Sequence, residues 1–402
     1  MKDETERPGD MMNIRFGICG LGFAGSVLMA PAMRTHPHAV IAAACDPNED
    51  VRTRFGRQYG VPVYAALGDM LAAGGLDAVY VASPHQFHRE HVVQAAARGL
   101  HVIVEKALTL NLGDADRMID ATREAGVHLV VGASRSHDPV IRTMRHLIRS
   151  GEVGRVAMVN CFNYTDFLYR PRRPEELDTA QGGGIVYNQL PHQIDSIKAI
   201  TGKRVLAVRA MTGRLDPARP TEGNCAALLT LEDRVAATVV YSGYDHFDSD
   251  EMHFWIAEGG RDKKPGHGSA RRVLRQLADK PEAQLRRERY SFGGPVSRAM
   301  EQGDEGRRQP HFGVMLVTCE YADLRAAPEG VLVYGDEGVR EVAALAGRGS
   351  FGQGDTIDEL YDAIAGRSPV LRDAAWGKDT VQVCLAILES SRTGRQIDLQ
   401  GR

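Results

Sequence analysis

The sequence predicts an α/β protein in which a doubly wound parallel sheet precedes an α+β domain with a large, mostly antiparallel open sheet. Near-continuous apolar runs alternate with helical patterns from Ile14 to about Gly132, which is typical of a parallel sheet covered on both faces. Longer runs with period-two alternation begin at Val156, and 402 residues exceed what one compact core holds. We therefore divide the chain into a flexible tail, a parallel α/β domain, an α+β domain, and a C-terminal helix with its tail, at residues 1–11, 12–135, 136–372 and 373–402.

The first predicted strand, residues 14–19, runs into three glycines in G-x-G-x-x-G spacing. Gly20 lets the chain leave the strand sharply, Gly22 lets the backbone approach a pyrophosphate, and Gly25 lets the next helix pack on the sheet. The N–H groups at the start of that helix face the phosphates. This spacing predicts a Rossmann domain with a dinucleotide on the turn, which also contains Phe23 and Ala24.

The next predicted strand, residues 40–45, ends in Asp46. It lies about 20 residues past the glycines, where a carboxylate accepts hydrogen bonds from the ribose hydroxyls. This position argues against the alternative, a glycine turn in a nucleotide-free domain. No arginine follows Asp46 directly, and a 2′-phosphate would meet its carboxylate, so we expect NAD. Because Arg52 and Arg54 lie close to Asp46 in the sequence, NADP is the alternative cofactor.

Composition argues against several classes of protein. Hydrophobic residues make up 43% of the chain and charged residues 25%, and the net charge of −3 disfavours nucleic-acid and membrane-surface partners. No apolar stretch approaches the ~20 residues of a membrane span, and the charged N-terminus lacks the apolar region of a secretory signal. The six cysteines are scattered without a C-x-x-C pair. We expect a cytoplasmic protein with neither a disulfide framework nor a metal site.

Polar residues follow three of the predicted parallel strands, at the edge where such sheets bind ligands. Lys106 is the sharpest catalytic candidate, because an ammonium there can hold a substrate hydroxyl and exchange its proton once its pKa is lowered. The alternative is a surface lysine paired with Glu105. The residues expected at the cofactor from these segments are Ser83, Pro84, His88, Glu105, Lys106 and Arg135.

His85, His88 and His91 form an H-x-x-H-x-x-H string. A turn residue followed by two helix residues need not share a face, and no acidic ligand lies nearby in sequence. The string therefore does not predict a metal site.

A glycine run at residues 182–184 leads into a helix-like pattern. Asn188, His192 and Asp195 then fall at i, i+4 and i+7 and are expected on one helical face. His192 could relay a proton there. The alternative is a core histidine beside a structurally paired Asp195.

The basic stretch 261–310 looks like an insertion between sheet strands. A solvated face or mobile loop is favoured for it, because charge runs are weak evidence. An anion-attracting surface and a subunit contact are the alternatives.

Together these segments resemble the Gfo/Idh/MocA family of NAD(P)-dependent oxidoreductases. The resemblance follows the glycine motif, Asp46, the three strand-end segments, the run to His192, and residues 389–394. It implies a C-terminal α/β domain whose open sheet often forms a subunit interface, and hence a homodimer or homotetramer. Two positions depart from the family: Ala107 replaces the proline of Glu-Lys-Pro, and Asn188 stands where the family often has Asp. The resemblance then implies that proton transfer rests on Lys106 and His192, with Asn188 hydrogen-bonding the substrate.

Residues 167–178, 187–193 and 319–331 are similar to the phthalate 4,5-cis-dihydrodiol dehydrogenase branch. This resemblance implies NAD-dependent oxidation of that anionic dihydrodiol to 4,5-dihydroxyphthalate. Arg170, Arg172 and Arg173 suit carboxylates, which guanidinium groups bind bidentately, and a solvated basic loop is the alternative. The substrate residues so expected are Arg170, Arg172, Arg173, Asn188, His192 and Asp195. Rival functions are a sugar or inositol dehydrogenase, a redox-neutral enzyme that uses NAD, and a non-catalytic NAD sensor.

Overall fold

The structure is a computed structural model, which describes residues 13–132, 135–277, 279–290, 292–300, 306–347 and 352–399. The tail predicted at 1–11 lies outside the described residues, as do parts of the basic stretch and the last residues of the chain.

The first sheet has six parallel strands in the order β3-β2-β1-β4-β5-β6. The order reverses between β1 and β4, so their carboxyl ends frame the crevice in which such sheets bind ligands. These strands are β1 Ile14–Cys19, β2 Ala39–Cys45, β3 Val63–Tyr64, β4 Ala78–Val81, β5 His101–Glu105 and β6 Leu129–Gly132. The predicted doubly wound parallel sheet is confirmed.

Helices cover both faces of this sheet. A wide helical turn, Phe23–Met29, follows β1 and continues into the first α-helix. Apolar side chains of the helices and strands pack into two buried clusters. The α-helices are α1 Ala30–Thr35, α2 Glu49–Tyr59, α3 Leu67–Ala73, α4 His88–Ala96 and α5 Leu112–Glu124.

The second sheet has nine strands in the order β14-β13-β12-β11-β7-β10-β9-β8-β15. Only β7 and β10 pair in parallel, and the other neighbours are antiparallel, so the predicted, mostly antiparallel sheet is confirmed. The strands are β7 Val156–Tyr164, β8 Val205–Gly213, β9 Asn224–Leu231, β10 Ala236–Ser242, β11 Val314–Cys319, β12 Asp323–Ala326, β13 Gly330–Gly335, β14 Gly338–Ala343 and β15 Ile397–Asp398. The apolar run at residues 253–257 has the length of a strand but does not form one: the short turn Ser249–His253 and one bridge between Ile256 and Asp262 occupy this region.

Helices cover one face of the second sheet, and the longest of them also reaches the first domain. This helix, α13 (Ala374–Thr393), packs against β8 of the second sheet and against α5 of the first domain. The remaining helices are α6 Pro139–Arg149, α7 Gly184–Asn188, α8 Leu190–Thr201, α9 Ser269–Gln276, α10 Glu282–Tyr290, α11 Pro295–Met300, α12 Gln353–Ile364 and α13 Ala374–Thr393. Short turns of 3-10 helix lie at His85–Phe87, Arg135–His137, Phe167–Tyr169, Pro174–Leu177, Thr179–Gln181 and Glu232–Arg234.

The described part of the basic stretch is helical, and most of its charged side chains are exposed, as on the solvated face that its composition favours. Its described part contains α9, α10 and α11, and it buries Leu285 and Phe292. A few apolar residues among many charges are enough to anchor these helices, because each fully buried side chain contributes about 1.5–3 kcal/mol.

All six cysteines are buried free thiols. Within the described ranges, no helix is both long enough and apolar enough to cross a membrane.

Candidate active site

The glycine turn, residues 20–25, leaves β1 with the geometry of a phosphate cradle. Gly20 has a φ of +97°, and a Cβ there would lie 2.7 Å from the Ala82 carbonyl oxygen. A Cβ at Gly25 would lie 2.0 Å from the Gly20 carbonyl oxygen, whereas a Cβ at Gly22 would meet nothing within 4 Å. The fold therefore requires two of these glycines, and the third leaves an open approach to the backbone. This arrangement fits a dinucleotide pyrophosphate.

Asp46 joins the glycine turn to the end of β2. Its Oδ2 accepts a hydrogen bond from Leu21 N at 2.8 Å, and its Oδ1 accepts one from Asn48 N at 2.8 Å. Each carboxylate oxygen keeps a lone pair for a ribose hydroxyl. Arg52 donates to the Pro47 carbonyl oxygen at 2.9 Å, so its guanidinium group is engaged on its own backbone.

Glu105, at the end of β5, is buried and accepts a hydrogen bond from the Tyr80 hydroxyl at 2.5 Å. Burial raises the pKa of Tyr80, and the Glu105 charge raises it further, so the tyrosine stays a neutral donor. The contact fixes the backbone from which the next residue, Lys106, projects.

Lys106 Nζ donates to the Asn188 carbonyl oxygen at 3.0 Å. Desolvation lowers the pKa of Lys106, and the Arg135 charge lowers it further, while the Glu105 and Glu258 carboxylates act in the opposite direction. A lysine with a lowered pKa is suited to accept a proton near neutral pH.

His192 lies on α8, and its ring centroid is 4.7 Å from that of Phe312. Burial lowers the pKa of His192 well below its usual value, and the charges of Lys106 and Arg135 act in the same direction. The imidazole is therefore neutral at pH 7. Lys106, His192 and Asp195 line one cavity, together with Trp376 and Cys384 of α13.

Arg135 follows β6 and faces the same ring, with its guanidinium carbon 5.2 Å from the Phe312 centroid. Its Nη1 lies 3.3 Å from Asp138 Oδ2 and 3.4 Å from the Glu258 carbonyl oxygen. Burial raises the pKa of Asp138 to about 6, against the opposing effect of Arg135. Arg135 and His192 thus share an aromatic wall.

Asn188 does not share a helical face with His192 and Asp195, so this prediction is wrong. Asn188 ends α7, and α8 begins at Leu190. Pro191 has no N–H to continue the helix across this point. Asn188 Nδ2 instead donates to the Gly182 and Gly184 carbonyl oxygens, each at 2.8 Å.

Asp195 serves the protein's own backbone and side chains. Its Oδ2 accepts from Ser136 N at 2.9 Å, and its Oδ1 accepts from Trp376 Nε1 at 2.8 Å. These bonds tie α8 to α13 and to the turn that carries Arg135. These hydrogen bonds agree with the alternative in which Asp195 is paired structurally. They do not support the expected contact between Asp195 and a substrate.

His88 is fully buried and braces the two strand-end loops. Its Nε2 lies 2.8 Å from the Ser83 carbonyl oxygen, and its Nδ1 lies 3.1 Å from the Ala107 and Leu108 carbonyl oxygens. Burial lowers the pKa of His88 to about 4. These contacts assign it to positioning Ser83 and Ala107, not to direct contact with a cofactor.

The other two histidines of the string have separate partners. His91 Nδ1 lies 2.8 Å from Ser83 Oγ, and His85 Nε2 lies 3.2 Å from the Lys106 carbonyl oxygen. Among the described residues, no group of three or more ligating side chains is arranged to hold a metal ion.

Neighbouring carboxylates neutralise positive charges of the arginine loop, residues 170–173. Arg170 Nε lies 2.7 Å from Asp166 Oδ1, and Arg173 Nε lies 3.1 Å from Glu175 Oε1. Arg172 Nη2 donates to the Phe167 carbonyl oxygen, and Nη1 lies 3.5 Å from Glu176 Oε1, so these two nitrogens are engaged by the protein and not by the expected substrate.

Arg170 remains the loop's candidate for the site, because Glu258, a charge neighbour of Lys106, also lies within electrostatic reach of Arg170. Glu258 and Tyr241 act on Arg170 electrostatically, and Glu258 also acts on Lys106.

Two site residues were missed by the sequence reasoning. Glu258 Oε1 accepts a hydrogen bond from Asn163 Nδ2 at 3.2 Å, and Phe312 forms the aromatic wall. Glu258 is bonded to Asn163 of β7, and Phe312 lies just before β11, so the pairing of β7 with β11 brings these two residues to the same part of the second sheet. The one available signal was a carboxylate directly after the apolar run 253–257.

A glycine cradle, a carboxylate at the end of the second strand and a half-buried lysine at the carboxyl edge of a Rossmann sheet are typical of an NAD-dependent oxidoreductase. Residues 14–133 match the oxidoreductase family with an NAD-binding Rossmann fold, and residues 141–260 match the GFO/IDH/MocA C-terminal domain. The chain belongs to the Gfo/Idh/MocA family, and the predicted family, enzyme class and NAD cofactor are confirmed.

The chain is similar over nearly its whole length to a dehydrogenase of Comamonas testosteroni that is named for 1-carboxy-3-chloro-3,4-dihydroxycyclohexa-1,5-diene. The two are 37% identical over 385 residues, which are 94% of this chain and 95% of the relative. Myo-inositol 2-dehydrogenase of Thermotoga maritima is 30% identical over 199 residues, 49% of this chain and 58% of that protein. A crystal structure from Bordetella bronchiseptica RB50 superposes with a TM-score of 0.92 at 74% identity, covering 96% of this chain and 100% of that one.

Proposed function

We propose that the protein oxidises one hydroxyl of a carboxylated aromatic cis-dihydrodiol, with phthalate 4,5-cis-dihydrodiol giving 4,5-dihydroxyphthalate. The observation that carries this proposal is the half-buried Lys106, which lines one cavity with a neutral His192 and lies within electrostatic reach of Arg135. Similarity over 94% of the chain to a dehydrogenase named for a carboxylated dihydroxycyclohexadiene supports the substrate class. Arg170 is the arginine proposed to meet a substrate carboxylate.

Lys106 is the proposed proton acceptor. A general base works best with a pKa near the working pH, and desolvation moves the pKa of Lys106 downward toward it. The pKa of His192 is pushed well below neutrality, which makes its imidazole the weaker base. His192 then holds the substrate hydroxyl by a hydrogen bond, while Asn188 positions Lys106 through its carbonyl oxygen at 3.0 Å.

When bound, NAD⁺ accepts the hydride that leaves the carbinol carbon. The hydroxyl proton passes to Lys106, and the resulting ketone tautomerises to an aromatic catechol. Gain of aromaticity favours oxidation over the reverse reaction. We assign the cofactor to the glycine turn residues Gly20, Gly22, Phe23, Ala24 and Gly25, to Asp46, and to the strand-end residues Ser83, Pro84, Glu105, Lys106 and Arg135.

A sugar or inositol dehydrogenase is the second candidate, and the Thermotoga maritima relative favours it. The test is NADH formation at 340 nm with phthalate 4,5-cis-dihydrodiol, myo-inositol and glucose in parallel. Turnover of the dihydrodiol alone supports the proposal. Turnover of only the polyols overturns the aromatic substrate, and no turnover with NAD retained through dialysis favours a redox-neutral enzyme or a sensor.

We propose that the open face of the second sheet forms a homodimer or homotetramer. Met211 is 75% exposed and Leu228 50%, and they lie on the same face of the sheet as Met158 and Leu316. These residues belong to β8, β9, β7 and β11, with β10 between β9 and β7. An exposed apolar surface of this kind marks an interaction site. Light scattering on the purified protein tests this proposal, and a monomer would contradict it. The free buried thiols suit the reducing cytoplasm, the proposed location.

A further inference from the structure

The helices of the basic stretch reach back to the first domain. Phe292, just after α10, is 1% exposed, and its ring centroid lies 5.3 Å from Phe55 and 6.0 Å from Tyr59. Both partners lie on α2, the helix that follows Asp46. An aromatic side chain from the second half of the sequence is thus part of the core beside the dinucleotide site.

Tyr290, at the end of α10, contacts the glycine turn itself. Its ring lies edge-on to Phe23 at a centroid distance of 6.3 Å and an interplanar angle of 80°. This is a favoured geometry for an aromatic pair. Phe23 follows Gly22 directly, so its position fixes the backbone that the pyrophosphate approaches.

The same face of α10 holds the arginine loop, with the Arg286 guanidinium carbon 5.7 Å from the Tyr290 ring centroid. Arg286 Nη2 lies 2.8 Å from Glu176 Oε1, and Arg172 N donates to Glu282 Oε2 at 3.1 Å. Glu176 in turn pairs with Arg172 and Arg173. One helix of nine residues therefore connects the proposed substrate arginines to the glycine turn.

We propose that α10 is part of the cofactor site and that Tyr290 is a positioning residue for the dinucleotide. Its ring holds Phe23, and through it the glycine turn, in the conformation that binds the pyrophosphate. A turn held in its bound conformation loses less entropy on binding, which strengthens affinity. This inference rests on NAD binding and is independent of the substrate proposed above.

The test is NADH affinity, measured by fluorescence titration without substrate. Tyr290→Ala is expected to weaken NADH binding about 3- to 10-fold, the range for one aromatic pair. Tyr290→Phe keeps the ring and is expected to restore wild-type affinity. Arg287→Ala removes an exposed cation from the same helix and serves as the matched control, with unchanged affinity.

Thermal unfolding of the cofactor-free variants separates positioning from folding. If Tyr290→Ala lowers the unfolding temperature but binds NADH as tightly as the wild type, the inference is overturned. Equal weakening in Tyr290→Ala and Tyr290→Phe would also overturn it, because the ring contact would then not be the cause. If Tyr290→Ala fails to fold, Tyr290→Leu keeps apolar volume without the aromatic edge and is expected to show the same loss of affinity. Wild-type affinity in Tyr290→Leu would overturn the inference.

Discussion

The substitution Gly22→Ala is expected to weaken cofactor binding without weakening the fold. Gly22 has a φ of −69° and a ψ of −166°, an extended conformation open to alanine, and an added Cβ would meet no protein atom within 4 Å. Replacing a glycine in a compatible conformation raises the free energy of unfolding by about 0.4–1 kcal/mol, because the unfolded chain loses freedom. The methyl group would occupy the space through which the pyrophosphate approaches. NADH affinity should fall at least about tenfold, or about 1.4 kcal/mol.

The chain supplies matched controls for this experiment. Gly68, on α3, also has open space at its Cβ position, so Gly68→Ala should gain similar stability and keep NADH affinity. Gly25→Ala places a Cβ 2.0 Å from the Gly20 carbonyl oxygen and should lose stability as well as binding. Urea unfolding of the cofactor-free proteins and NADH titration measure the two effects. Wild-type NADH affinity in Gly22→Ala would refute the assignment of the glycine turn to the cofactor.

Two further predictions concern pH. Glu258 raises the pKa of Lys106, so Glu258→Gln should lower that pKa further and move the rising limb of the kcat/KM profile to lower pH; a move to higher pH would contradict a basic role for Lys106. Burial alone would raise the pKa of Glu359, but His137, whose Nε2 lies 3.2 Å from Glu359 Oε2, and the Arg372 charge hold it at about 2, below its ordinary 4.5. This contributes roughly 3 kcal/mol of stability above pH 4.5 that is lost as the pH falls toward 2. The difference in free energy of unfolding between wild type and Glu359→Gln should shrink over that window, and a constant difference would contradict the assignment.

The first sheet and its ligand edge were predictable because their signals are local. Glycine spacing, an apolar strand and a terminal carboxylate each lie within a short stretch of the sequence. The same locality placed Lys106 at the end of β5. The helix break between Asn188 and His192 also has a local signal in the sequence, because Pro191 is typical of the first turn of a new helix.

The remaining parts of the site depend on contacts between distant segments. Phe292 packs on Phe55 across more than half the chain, and nothing in the charged sequence around it marks that partner. Glu258 reaches the site only through the register of the second sheet. Arg172 looked available from composition, but it stacks on Phe167 at 3.8 Å and is buried. The amino-acid composition gives the number of charged residues, but it does not show which carboxylate neutralises a given arginine.

Lys106→Met tests the central claim most directly. The measurement is kcat for NADH formation with the substrate that the wild type oxidises, beside NADH affinity by titration. If Lys106 takes the hydroxyl proton, kcat measured at an NAD⁺ concentration that saturates each protein falls by about 10²–10⁴, the usual contribution of a general base. A kcat close to that of the wild type, with NADH still bound, would contradict the account.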